Sequence, residues 1–183
     1  SGKLSFDISR VEKDIEDVLS TVKSEDFVEI AFFGGSFTGI DRELMISLLS
    51  LAQGYIDRGL VSSIRLSTRP DYISDEILDI LSSYSVGTIE LGLQSMDDEV
   101  LLASKRGHTS RDAERACAMI KERGFSLIGQ MMVGLPSSAL ADEIYTAQKI
   151  CDLGCDGARV YPTVVFPDTE LDRMEKTGIY QKL

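Results

Sequence analysis

Polar side chains recur at every second position in several strand-length apolar segments, and this alternation narrows the possible folds more than any other feature of the chain. Arg65, Ser67 and Arg69 share one side of VSSIRLSTRP (61–70). Thr88, Glu90, Gly92 and Gln94 share one side of VGTIELGLQS (86–95), with Ile89, Leu91 and Leu93 opposite. Gln130 opposes Met131 in SLIGQMMVGLP (126–136), and Arg159 with Tyr161 opposes Val160 in GARVYPTVVF (157–166). A strand covered by helices on both faces has an apolar middle. Sealing these groups in a core costs about 1–3 kcal/mol for each one left without a partner. A barrel or half-barrel interior that opens onto a polar ligand accounts for the pattern; satisfied Glu–Arg networks are the structural alternative.

Helical periodicity fills the intervals. ISRVEKDIEDVLSTV (8–22) places Ile8, Val11, Ile15, Val18 and Leu19 on one stripe, predicting a surface helix. VEIAFFGGSFTG (28–39) reads as a strand ending in a glycine turn, followed by an amphipathic helix that Asp41 caps. Further helices are expected from Ser74 to Tyr84, from about Met96, at 110–123 and at 139–152. Five strands, each preceded by a helix, predict a parallel α/β layer in one domain, consistent with 183 residues. The net charge of −11 disfavours nucleic-acid and membrane-phosphate partners. Three scattered cysteines, and no asparagine for glycosylation, fit a reducing compartment; with no apolar run of spanning length and no signal peptide, a soluble cytoplasmic protein is expected.

Gly34, Gly35 and Ser36 stand where a strand yields to a loop, so their backbone can approach a ligand, although a plain tight turn is equally consistent. The segment matches neither a dinucleotide-binding turn nor a phosphate loop. Arg69 has the charge to grip a carboxylate in a bidentate manner, or to pair with Glu90. Gln94, four residues beyond Glu90 and nearer the carboxyl end, can donate and accept. Ser95 is expected to cap the following helix, with Asp98 in its first turn. His108, the sole histidine, precedes a helix that Thr109 or Ser110 can cap, and nothing adjacent poises it for proton transfer. Cys151 and Cys155 lack a matching Cys/His pair, and Cys117 reads as core; no metal ligand and no catalytic residue is assigned.

The ordered succession FFGGSF, LSTRPDYI, IELGLQSMDDEVL, KRGHT, MMVGLP and RVYPTVVFPDTELDRMEKTGIY resembles the radical S-adenosylmethionine (SAM) superfamily, nearest to the catalytic domain of the elongator-subunit-3-like branch. The resemblance runs from Phe32 to the C-terminus. It implies a parallel-stranded partial TIM barrel of the (β/α)6 type, a 4Fe-4S cluster, and SAM bound across the carboxyl ends of the strands and cleaved reductively to a 5′-deoxyadenosyl radical. By this resemblance Gly34 and Gly35 correspond to a motif whose backbone meets the methionine amine, with Ser36 in place of the usual acid. Ser67 and Arg69 correspond to the region meeting the carboxylate or ribose, and Glu90 and Gln94 to a strand end where Gln94 serves ribose or adenine. Val133, Gly134 and Leu135 correspond to a loop beside adenine, and Arg159 and Tyr161 to polar positions around SAM or substrate, with an ion pair for Arg159 and a core-edge place for Tyr161 as alternatives.

The family's C-x3-C-x2-C cluster loop is missing, and Cys117, Cys151 and Cys155 have the wrong order and spacing to replace it. As written, the chain is expected to be inactive in radical cleavage. The preferred explanation is that residues 1–183 are an incomplete radical SAM core supplying strands 2 to 6, with strand 1 and the cluster loop upstream and the acetyltransferase domain absent. The full-length protein would then need an electron donor and a substrate, both unidentified, and a transfer-RNA substrate is unproven. The alternative is a degenerate SAM- or nucleotide-binding scaffold.

Overall fold

The computed structural model describes residues 7–23 and 26–182. The elements run α1 (Ile8–Leu19), β1 (Glu29–Phe32), α2 (Arg42–Asp57), β2 (Ser63–Thr68), α3 (Asp75–Ser82), β3 (Val86–Gln94), α4 (Asp98–Ala103), α5 (Ser110–Glu122), β4 (Ser126–Val133), α6 (Leu140–Asp152), β5 (Gly157–Pro162) and α7 (Glu170–Lys176). All four strand pairings are parallel and the sheet order is β1-β2-β3-β4-β5.

That order follows from the crossovers. Each helix returns the chain to the adjacent position, and a constant right-handed sense leaves the helices on one side of the sheet. The helix-facing Ile64, Leu66, Ile89, Leu91, Leu93, Leu127 and Met131 pack there against Leu48 and Leu49 of α2, Leu78 and Leu81 of α3, and Ala116 and Ile120 of α5. The other face carries the polar alternation, and the sheet curls around it as a half-barrel. Four strand spacings put the edges of a flat sheet about 19 Å apart. Here Arg159 Cζ on β5 lies 5.5 Å from the ring centroid of Phe33, directly after β1, so the edges bend toward one another. The expected partial barrel is the architecture observed.

Local signals place the boundaries. Asp41 caps α2, its Oδ1 accepting from Leu44 N at 3.1 Å, and Pro70 follows the end of β2. On α1, Ile8, Val11, Ile15 and Leu19 are half-buried, whereas Val18 is 61% exposed. The 28–39 run holds a four-residue strand followed by the expected glycine turn, with Gly34 at φ +99, a conformation that favours glycine. One expectation is corrected. Helix α4 is capped by Asp97 (Oδ1 to Val100 N, 2.9 Å) and not by Ser95, whose buried Oγ accepts from Asp97 N at 3.1 Å just ahead of the helix. Helix α7, after β5, adds an element that apolar periodicity had not marked. Among the described residues no helix is long and apolar enough to cross a membrane.

Helix α5 opens with a capping box: Thr109 Oγ1 accepts from Asp112 N at 3.2 Å, and Asp112 Oδ2 accepts from Thr109 N at 3.0 Å. Thr109→Ala removes one half of this exchange and will lower unfolding stability by about 1 kcal/mol, measurable as a shift in the urea midpoint at unchanged slope.

Candidate cofactor site on the polar face

Strand β3 supplies the centre of the site and departs from a regular ladder at its end. Pairing with β4 slips between Gly92 and Gln94, and Gln94 adopts φ +66, so the residue read as extended is left-handed. Gln94 still joins the polar side: its Nε2 donates to Gln130 Oε1 at 2.9 Å, and Gln130 Nε2 donates back at 3.2 Å. Gly92 makes room for this pair, since a Cβ there would stand 2.7 Å from Gln94 Nε2.

Glu90 is 4% exposed, and its Oε2 lies 3.1 Å from Arg159 Nε. The N–H is not aimed at this oxygen, which receives no hydrogen bond among the described residues, so the contact is one of charge. Arg159 donates instead to Tyr161 Oη at 3.1 Å. The ion-pair alternative for Arg69 is corrected. Arg69 does not pair with Glu90 but closes a bidentate pair with Asp71, at 3.0 Å from Nε and 2.8 Å from Nη2. This pair lies against Gly107, where a Cβ would collide with Arg69 Nη2.

Arg106 enters the same space from the loop between α4 and α5. Among the described residues it forms no ion pair; its Nη2 is 3.3 Å from the weak acceptor Met132 Sδ. Although Arg106 is an exposed residue, partial loss of hydration at the cavity, and then the neighbouring Arg69, push its pKa down from the usual guanidinium value. A cavity of about 200 Å³ results, bordered by Gly35, Ser36, Ser67, Arg69, Glu90, Gln94, Arg106 and Gln130. Ser67 Oγ donates to Gly35 O at 3.2 Å, which ties the glycine turn to β2.

Six of the expected positions, Gly35, Ser36, Ser67, Arg69, Glu90 and Gln94, therefore meet around one cavity, with Gly34 in the adjoining turn. Arg159 reaches the group through Glu90, and Tyr161 through Arg159. Val133, Gly134 and Leu135 sit at the next strand end. There Val133 O accepts from Thr163 N and Oγ1 at 2.9 and 2.8 Å, Gly134 N donates to Glu143 Oε1 at 2.7 Å, and Gly134 O accepts from Tyr180 Oη at 2.7 Å. Leu135 borders a second cavity of about 290 Å³ with a mixed polar and apolar lining, which shares Arg106 with the first. Reading the strands overlooked Arg106 and gave Gln130 no role in the site. KRGHT offered only a local hint for the first, an arginine beside a glycine in the loop after α4, with no sign that the loop returns to the end of β3.

Parallel strands in sequential order, one polar face and a cavity at their carboxyl ends define a partial-barrel α/β class. The sequence profile of the Radical SAM superfamily matches residues 4–146, and the chain belongs to that superfamily. Elongator complex protein 3 of Saccharomyces cerevisiae is 29% identical over 187 residues, covering 91% of this chain and 34% of the yeast protein. An uncharacterised Methanocaldococcus jannaschii protein, MJ0486, is 30% identical over 158 residues, covering 84% of this chain and 48% of its own. The chain thus spans about a third to a half of these relatives. Among solved structures, Elp3 of Methanocaldococcus infernus with an N-terminal deletion superposes with TM-score 0.79 at 24% identity, covering 94% of this chain and 45% of that one. Escherichia coli coproporphyrinogen III oxidase (HemN) superposes at 0.69 and 17%, covering 95% and 39%.

The two cofactors that the superfamily implies fare differently here. The polar cavity suits SAM: it offers a guanidinium for a carboxylate, side-chain amides and hydroxyls for ribose, and the unbonded Glu90 Oε2 as negative charge near a cationic ligand. The cluster does not fit the residues present. Cys117 is on the buried face of α5, Cys155 lies beside the helix-facing side of Gly129, and Cys151 is exposed on α6. Among the described residues no three His, Cys, Asp or Glu side chains converge to hold a metal.

Proposed function

We propose that the polar cavity binds SAM and that the chain is the cofactor-binding part of a radical SAM oxidoreductase or modifying enzyme. In this reading residues 1–183 are an incomplete core, and a three-cysteine loop elsewhere in the full-length protein holds the cluster. That protein cleaves SAM reductively, draws electrons from a donor and abstracts hydrogen from a substrate. Within this chain, Arg106 binds the carboxylate, Gln94 and Gln130 bind hydroxyl groups, and the backbone at Gly34 and Gly35, with Ser36 and Ser67, closes the other side. Arg69 sets the loop through Asp71 and Gly107. Arg159 and Tyr161 hold Glu90, while Val133, Gly134 and Leu135 flank the base.

The observation that carries the reading is Arg106, a guanidinium with no carboxylate partner among the described residues, facing a polar cavity in a chain of net charge −11. Anaerobic reconstitution of the full-length protein tests it. About four iron atoms per chain and release of 5′-deoxyadenosine on reduction are expected; competent protein yielding neither rejects it. The lack of cluster ligands here favours a second reading, a scaffold that binds SAM without cleaving it. Calorimetric SAM binding by a full-length protein that takes up no iron supports that reading instead.

A further inference from the structure

His108 is 5% exposed, and its environment is built rather than incidental. Nε2 lies 3.1 Å from Leu93 O. A carbonyl only accepts, so Nε2 carries the hydrogen and Nδ1 is the bare nitrogen of a neutral ring. Nδ1 is buried and has no partner among the described residues. Leu93 O also accepts from Ser95 N at 2.8 Å, so the histidine clasps the carbonyl immediately before left-handed Gln94. The same ring belongs to the loop that carries Arg106. One hydrogen bond therefore joins the two segments that bring Gln94 and Arg106 to the cavity.

We propose that His108 is a positioning residue for this pocket: its neutral ring, through Nε2–H, ties the 104–109 loop to the β3 bulge, and a proton added at buried Nδ1, where no acceptor stands, drives the ring out of its site and so weakens SAM binding. The binding half rests on the cofactor reading above. The charged ring would carry a second N–H into a place without an acceptor. It would also add a third cation beside Arg69 and Arg106, against which Asp71 supplies an opposing charge. Asp112 of α5 feels the ring's charge, and Asp98 of α4 shares its cavity, but Asp112 is engaged by Thr109 and Asp98 by Ser110 N. Burial is the leading cause that lowers the histidine's pKa below 6.5; the hydrogen bond to Leu93 O and the charge of Asp71 oppose it, and the two arginines add to it. With the folded value below the unfolded one, the unfolded chain takes up the proton first. The stabilisation is complete above about pH 6.5 and falls as pH drops toward the folded value.

Because His108 is the only histidine, its ring nitrogens give a single NMR signal set in the 183-residue chain. The expected spectrum shows the Nε2–H tautomer at about pH 7.5, a midpoint below 6.5, and Gln94 and Arg106 amide shifts moving with that midpoint. A ring titrating at 6.5 or above, or amides indifferent to it, overturns the positioning role whether or not SAM binds. Calorimetry with SAM then tests the link. Wild-type affinity should fall about tenfold between about pH 7 and pH 5, while His108→Gln, which keeps an N–H donor without titrating, stays flat and near wild type. His108→Leu should bind about tenfold more weakly at either pH. Equal pH profiles for wild type and His108→Gln overturn the link, whereas no binding by wild type at any pH fails the cofactor reading itself.

Discussion

Arg106→Gln will weaken SAM binding by about 10- to 100-fold, the loss expected when a charged, two-pronged hydrogen bond to a carboxylate is removed. Thermal stability should change little, because Arg106 holds no ion pair among the described residues and contacts only Met132 Sδ with a polar atom. Arg69→Gln provides the comparison. Its guanidinium is already committed to Asp71 at 2.8 and 3.0 Å, so a smaller change in affinity is expected, with some loosening of the loop around Gly107. Isothermal titration of both variants at fixed ionic strength decides between them. A larger loss at Arg69 would transfer the carboxylate to that residue and remove the main support for the proposed pocket.

Leu91→Ala should have the largest effect on stability, about 3 kcal/mol or more. Leu91 lies on the central strand β3, fully buried, with its side chain among the helices and far from the edges where the sheet could relax into the gap. Val160 is a useful control because it occupies edge strand β5 and is 56% exposed; Val160→Ala should stay within about 0.5 kcal/mol. Urea unfolding of the two variants measures the contrast. Similar losses would mean that the helix-covered face is not the principal core.

The polar alternation of β2 and β3 was readable because a strand's side chains change face with a period of two, so Glu90 and Leu91 had to part company wherever the strand lay. Helix caps at Asp41 and Thr109 were readable for the same local reason, a short side chain reaching amides two or three residues ahead. The partner of Arg69 was also within local reach. Asp71 stands two residues on, across Pro70, but the strand-face argument directed attention to Glu90, which the sheet assigns to Arg159 instead.

Gln94 shows where periodicity stops. Its left-handed backbone comes from a slipped register against β4, a property of two strands and not of one. Arg106 is harder still, since nothing in a dozen intervening residues states that the loop after α4 folds back over the end of β3. The buried contact between His108 Nε2 and Leu93 O makes that return. The missing cluster ligands were visible at once, because cysteine positions are read directly from the chain. Local chemistry along the chain thus specified a parallel layer with one polar face and no cluster loop of its own. The choice of which polar groups neutralise one another and which face the cavity depended on curvature, register and loop return, because those bring together side chains that the backbone keeps far apart.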